Sequence, residues 1–140
     1  MSITSKMTGA EFDSMVERGA FDGLGPRKIE LIRGELRFMN PARPVHDDYI
    51  DYLTRWSTNN TTANLANIRV QCGFDCEDNR PEPDILWLKP RRYGRTRLAA
   101  VDVMLLIEVS DGSLASDSLF PNCRPEAILN TAELFAVREE

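Results

Sequence analysis

Lysine is scarce in this chain, and after Lys89 there is none. The 140 residues hold only Lys6, Lys28 and Lys89. Histidine is scarcer still, with His46 alone, and the cysteines are Cys72, Cys76 and Cys123. Cys72 and Cys76 are spaced CxxxC, but no second pair follows. A structural zinc site needs four ligands, so a zinc finger or ribbon is not expected. The first six residues carry no apolar h-region, and no run approaches the length of a membrane span. Neither a secretory leader nor a membrane anchor is expected. An odd cysteine count without a leader fits a reducing cytoplasm, with the thiols buried or at strand ends.

Excess positive charge is also missing. With 17 basic against 22 acidic residues, the net charge is −5, so the whole molecule is not a basic nucleic-acid coat. A polyanion would have to be met by a local patch. Arg91, Arg92, Arg95 and Arg97, gathered around Tyr93, make one. It reads either as a solvated loop or as a phosphate-contacting one.

What remains suits one soluble domain, large enough to bury about two thirds of its unfolded surface. Thr8-Gly9-Ala10-Glu11 is a capping box, and Phe12, Met15 and Val16 follow at helical spacing until Gly19. Lys28-Ile29-Glu30-Leu31-Ile32 and Glu35-Leu36-Arg37-Phe38-Met39, joined by Arg33-Gly34, read as a β-hairpin. After a proline break, Tyr49, Ile50, Leu53 and Trp56 fall on one face of a second helix. Residues 66–74 alternate as a half-buried strand, residues 84–88 form a short apolar strand, and residues 101–109 form one apolar on nearly every position. Residues 125–137 have a helical pattern, and no further strand is expected.

Two carboxylates break the apolar rule. Asp84 opens its strand after Pro81-Glu82-Pro83, and Glu108 sits near the end of the 101–109 run. Such groups are costly to bury unless a metal, a proton or a cation compensates them. Two on neighbouring strands make an oxygen-rich site for a divalent cation. The bland alternatives are a strand-start aspartate satisfied by nearby amides, and a strand-end glutamate paired with Arg69 or Arg97.

The order of motifs is specific. Met7 to Phe12, Lys28 to Leu36, Pro44-Val45-His46, Pro83-Asp84-Ile85 and Leu106-Ile107-Glu108-Val109-Ser110 together resemble the Uma-two family. These are restriction-endonuclease domains of the PD-(D/E)XK nuclease superfamily. The resemblance implies an α/β (α+β) fold, a restriction-endonuclease-like mixed sheet flanked by helices. It also implies a metal-dependent endonuclease hydrolysing DNA phosphodiester bonds with Mg²⁺ or Mn²⁺. Position by position, it implies Asp84 and Glu108 as metal-holding carboxylates and the Val109 carbonyl as a further oxygen. Glu30 matches the early acidic residue of the site, His46 the histidine opening the second helix, and Asp117 a later aspartate. Arg91, Arg92, Arg95 and Arg97 are the candidate DNA contacts.

From about Ser118 the pattern departs. The lysine helix and aromatic closing strand of the family have no counterpart, and none of the three lysines stands at a matching position. The expected division is a nuclease-like domain over residues 1–117 and a divergent tail over 118–140, truncated or frameshifted relative to a full-length relative. The reading is an endonuclease domain impaired by a missing lysine. Its alternative is a catalytically dead remnant that binds nucleic acid or a protein. A third reading is an interaction module whose unclosed sheet edge forms a homodimer.

Overall fold

The computed structural model describes residues 6–25, 28–39 and 44–109, together with the backbone of residues 128–130. Helix α1 (Gly9–Glu17) begins where the capping box predicts. The Thr8 hydroxyl accepts from the Glu11 N–H at 3.2 Å, and the Asp78 carboxylate accepts from the Gly9 N–H at 3.0 Å. Asp78 thus helps cap the helix from a distant loop. Strands β1 (Lys28–Ile32) and β2 (Glu35–Met39) form the hairpin, with Leu31 opposite Leu36. Arg33 at φ 54° and Gly34 at φ 78° make the left-handed pair that a two-residue hairpin turn requires.

Helix α2 (Pro44–Asn59) crosses to a second sheet. This sheet runs β3 (Asn67–Val70), β4 (Ile85–Leu88), β5 (Val103–Glu108) and β6 (Ile128–Asn130), in that spatial order. β4 is antiparallel to both its neighbours β3 and β5, and β6 is parallel to β5, so the fold is α+β with a mixed sheet.

Two strands are shorter than expected. β3 stops at Val70 because Gln71 takes φ 50°, which no strand accommodates. β5 starts only at Val103, since Ala100–Asp102 coil into a 3-10 turn closed by the Asp102 carboxylate on the Ala99 N–H at 3.0 Å. A third expectation is overturned: residues 128–130 form a strand where a helix was anticipated. An apolar strand such as β5 leaves costly unpaired backbone groups at an open edge, and pairing Leu106 through Glu108 with Ile128 through Asn130 satisfies them. The edge expected to seed a homodimer is therefore paired within the chain. The remainder of the 118–140 tail lies outside the described residues, as does Asp117.

The core lies on both faces of β4 and β5. Ile85, Ile107 and Val109 pack under Ile50 and Leu53 of α2. Leu86, Leu88, Val103 and Leu106 pack against Phe74, Cys76, Tyr93 and Leu98 of the connecting loops. Each fully buried Leu or Ile here contributes about 1.5–3 kcal/mol. Trp87 packs against the α2 side and donates from its indole to the buried Ser57 hydroxyl at 2.8 Å.

Candidate metal centre

The β4–β5 register determines how the two key carboxylates meet. Ile85 pairs with Ile107. One step further along antiparallel strands, Asp84 faces Glu108, and directly opposite residues project on the same side of a sheet. Asp84 is buried at 3% exposure, and its Oδ2 accepts from the Val109 N–H at 2.8 Å. The amide explanation for Asp84 is therefore half right: one oxygen is tied to backbone. Among the described residues, the other, Oδ1, lies 3.4 Å from His46 Nε2 and 3.9 Å from Lys28 Nζ.

Strand β1 reaches this place through residue 80. Leu31 and Arg80 exchange backbone hydrogen bonds at 3.2 and 2.7 Å, which sets the hairpin against the segment leading to Asp84. Residues two apart on a strand share a face, so Lys28 and Glu30 project together. The Glu30 carboxylate accepts from the Glu82 N–H at 2.9 Å, and Lys28 Nζ lies 3.9 Å from its other oxygen. From α2, His46 Nδ1 is buried, with no hydrogen-bond partner among the described residues.

Charge is unbalanced here. Glu30, Glu82, Asp84 and Glu108 all act on the one Lys28 ammonium. Burial pushes the Glu108 carboxyl up to about 8, with Lys28 opposing the rise and the charges of Asp84 and Glu30 adding to it. At neutral pH Glu108 therefore holds a proton in the metal-free protein. Burial likewise raises Glu82, against the pull of Lys28. For Lys28, burial acts to lower the amine, yet the carboxylates of Glu108, Glu30, Asp84 and Glu82 hold it above its ordinary value.

Among the described residues, no group of three or more His, Cys, Asp or Glu side chains is arranged to hold a metal ion. The donor set still fits one class of cation. Mg²⁺ keeps several waters and takes only one or two protein carboxylates, the rest of its shell coming from substrate phosphates. Asp84 and Glu108 meet that demand with hard oxygen donors, whereas a zinc or calcium cage would need more ligands.

The arginine patch is a different matter. It lies in the loop that leaves β4 after Leu88, about 13 Å along the strand from Asp84 at roughly 3.3 Å per residue. Arg91 donates to the Asp102 carboxylate at 3.0 Å and lies 4.1 Å above the Tyr93 ring. Arg97 donates to Asp75 at 2.7 and 2.8 Å and to Asp13 at 2.9 Å. Two of the four expected DNA contacts are thus paired with carboxylates of the protein itself, although all four arginines are exposed. A cavity of about 430 Å³ lies between α1 and the 69–75 and 96–98 segments, and of the acidic cluster it touches only Glu82. A polymer backbone can be met at an open surface, so this cavity is not the place to look for its chemistry.

Sequence reasoning missed Lys28 and Glu82. The signal existed: charges at alternate positions, Lys28 and Glu30, flank apolar Ile29 and so share one face of a strand. What the sequence lacked was the Leu31–Arg80 pairing that turns that face toward Asp84.

A family model described as Uma2, Putative restriction endonuclease, matches residues 22–119, leaving α1 outside the match. No curated protein was found to match the chain. The matched stretch spans well over half of the chain and contains every residue of the acidic cluster, so this protein belongs to the Uma2 restriction-endonuclease family.

Proposed function

We propose that the domain is a divalent-metal endonuclease of the cytoplasm that hydrolyses DNA phosphodiester bonds, with Asp84 and Glu108 holding Mg²⁺ or Mn²⁺. One observation carries this reading: four carboxylates converge on a single ammonium, with Asp84 and Glu108 facing each other across two strands. A buried surplus of negative charge is expensive unless a cation joins it. Perturbed groups of this kind cluster at functional sites.

The bound cation would polarise a phosphoryl oxygen and lower the pKa of a coordinated water. The chain's own residues supply the rest. The Val109 N–H fixes the Asp84 carboxylate through Oδ2, which leaves Oδ1 turned toward His46 and Lys28. Glu30 is anchored by the Glu82 N–H and holds the β1 side of the cluster. The Val109 carbonyl is the third oxygen we assign to the cation. Arg92 and Arg95 are the arginines left to meet DNA phosphates.

A second reading, a DNA-binding remnant that does not cut, is favoured by the absence of any lysine after Lys89. One set of measurements decides between them. The active domain nicks supercoiled plasmid with Mn²⁺ and stops when EDTA is added, and Asp84→Ala falls to background. Calorimetry detects Mn²⁺ binding that is lost in Asp84→Ala. Salt-sensitive DNA binding without cutting would select the remnant. Mn²⁺ binding indifferent to Asp84 and Glu108 would leave neither carboxylate with a role.

A further inference from the structure

The geometry points to Lys28 as the catalytic lysine of this site, supplied by the first strand rather than by the chain after Glu108. The inference rests on the nuclease reading above, and it removes the one observation that favoured an inert remnant.

Elimination is complete at the level of sequence, because there are only three lysines to consider. Lys6 is mostly exposed, bonds to the Arg33 carbonyl at 3.2 Å, and pairs with Glu35 at 3.8 Å, all at the hairpin turn. That turn is the opposite end of β1 from position 28. Lys89 follows β4 at the end away from Asp84, where its N–H donates to the Asp102 carbonyl at 2.8 Å. Lys28 alone reaches the acidic cluster.

Its placement suits a group that meets substrate. Nζ lies 3.9 Å from both Asp84 Oδ1 and Glu30 Oε1. That is too far for a hydrogen bond, so neither of these carboxylates commits a donor of the ammonium. The side chain is 19% exposed, open to a ligand approaching from outside, while Asp84 beneath it is 4% exposed. A phosphodiester brought up to Asp84 comes within reach of this ammonium.

In the reaction, a water oxygen forms the new bond to phosphorus and the bond to the leaving oxygen breaks. One water proton passes to solvent, and the leaving oxygen takes one from solvent. Lys28 keeps its proton throughout. Its charge opposes the negative charge growing on the phosphoryl oxygens, the kind of stabilisation whose removal costs about 10²–10³-fold in rate.

A counter-ion that only neutralises buried carboxylates would behave differently, and the full 140-residue chain can be used to tell the two apart. Lys28→Met and Lys28→Gln remove the charge, Lys28→Arg returns it, and Lys89→Met is the control. Thermal melting first identifies which neutral variant is folded. The expected result is plasmid nicking with Mn²⁺ reduced at least about 10²-fold in that variant, with Mn²⁺ binding by calorimetry retained. Lys28→Arg recovers part of the loss and Lys89→Met equals wild type. Nicking at the wild-type rate in either neutral variant overturns the assignment and leaves the nuclease reading intact. Absence of nicking by the wild-type chain overturns both.

Discussion

Two charged clusters adjoin the segment that carries Arg80 and Asp84, and they are built on opposite plans. Around Arg80, two guanidinium groups meet two carboxylates. Arg80 and Arg97 contact Asp13 and Asp75 at 2.7–3.3 Å, and Arg80 also donates to the Glu77 and Asn79 carbonyls at 2.7 and 2.8 Å. Around Asp84, four carboxylates act on one ammonium, and that ammonium is no closer than 3.9 Å to Asp84 or Glu30. The first cluster is neutral and hydrogen-bonded; it ties α1 to the loops beneath it. The second is anionic and loosely bonded, and a structure gains nothing from leaving it so. The difference separates a group of charges that holds the fold from one that waits for a ligand.

The largest effect expected of this comparison is on the balanced side. Arg80 is 11% exposed and serves Asp13, Asp75 and two carbonyls, so removing it leaves the two carboxylates to Arg97 alone and takes a donor from each carbonyl. Its guanidinium also lies directly over Gly9, where any larger residue would collide with it. Arg80→Ala should cost about 3 kcal/mol in urea denaturation, as when one partner of a buried pair is deleted. Mn²⁺ affinity should stay within about twofold of wild type, because the acidic cluster does not use Arg80. A large loss of Mn²⁺ binding in a variant that still folds would show that the two clusters are one.

On the unbalanced side the expected signature is a stability that falls with rising pH. Glu108 has its folded pKa raised, from an ordinary 4.5 to about 8. Between those values the unfolded chain releases a proton that the folded protein keeps. Stability of the metal-free protein therefore declines as pH rises from about 4.5 to about 8, and is level above that. Glu108→Gln keeps the shape of the neutral carboxyl and removes its part of this slope, leaving that of Glu82, whose carboxyl burial also raises. The variant should match wild type near pH 4 and exceed it near pH 8 by about 2 kcal/mol or more, in denaturation with EDTA present. An unchanged slope in Glu108→Gln would mean that Glu108 is not the group carrying the surplus charge.

Much of this was legible in the sequence, but in an uneven way. Local signals gave α1 from Thr8 to Gly19, the Arg33-Gly34 hairpin, α2 and the β4 strand, because each depends on residues close along the chain. The pairing of Asp84 with Glu108 was also accessible, since each ends an apolar run where a carboxylate is out of place. Lys28 was not, because its significance depends on Leu31 meeting Arg80, 49 positions later. The strand at residues 128–130 was hidden for a related reason. Its sequence is compatible with a helix, and only the open edge of β5 selects the extended form. For the arginine patch, the run identified four cations, but not that Asp102 and Asp75 pair with Arg91 and Arg97.

The smallest effect belongs to Arg97, which sharpens the comparison from within the balanced cluster. Its side chain is 56% exposed, and both its partners keep Arg80 when it is gone, with Asp13 at 2.9 Å and Asp75 at 3.3 Å from Arg80 Nε. Arg97→Ala should cost only about 0.5 kcal/mol, as for other exposed ion pairs, and the difference should shrink in high salt. Its effect on DNA binding should likewise be smaller than that of Arg92→Ala or Arg95→Ala, because its guanidinium is already committed to two carboxylates. A cost above about 2 kcal/mol would mean that the four charges act cooperatively, so a double-mutant cycle with Arg80 should then return a coupling energy. In that case the network extends the rigid part of the protein out to the surface loop, and a neutral, closed cluster would be holding in place the very loop from which Arg92 and Arg95 reach out.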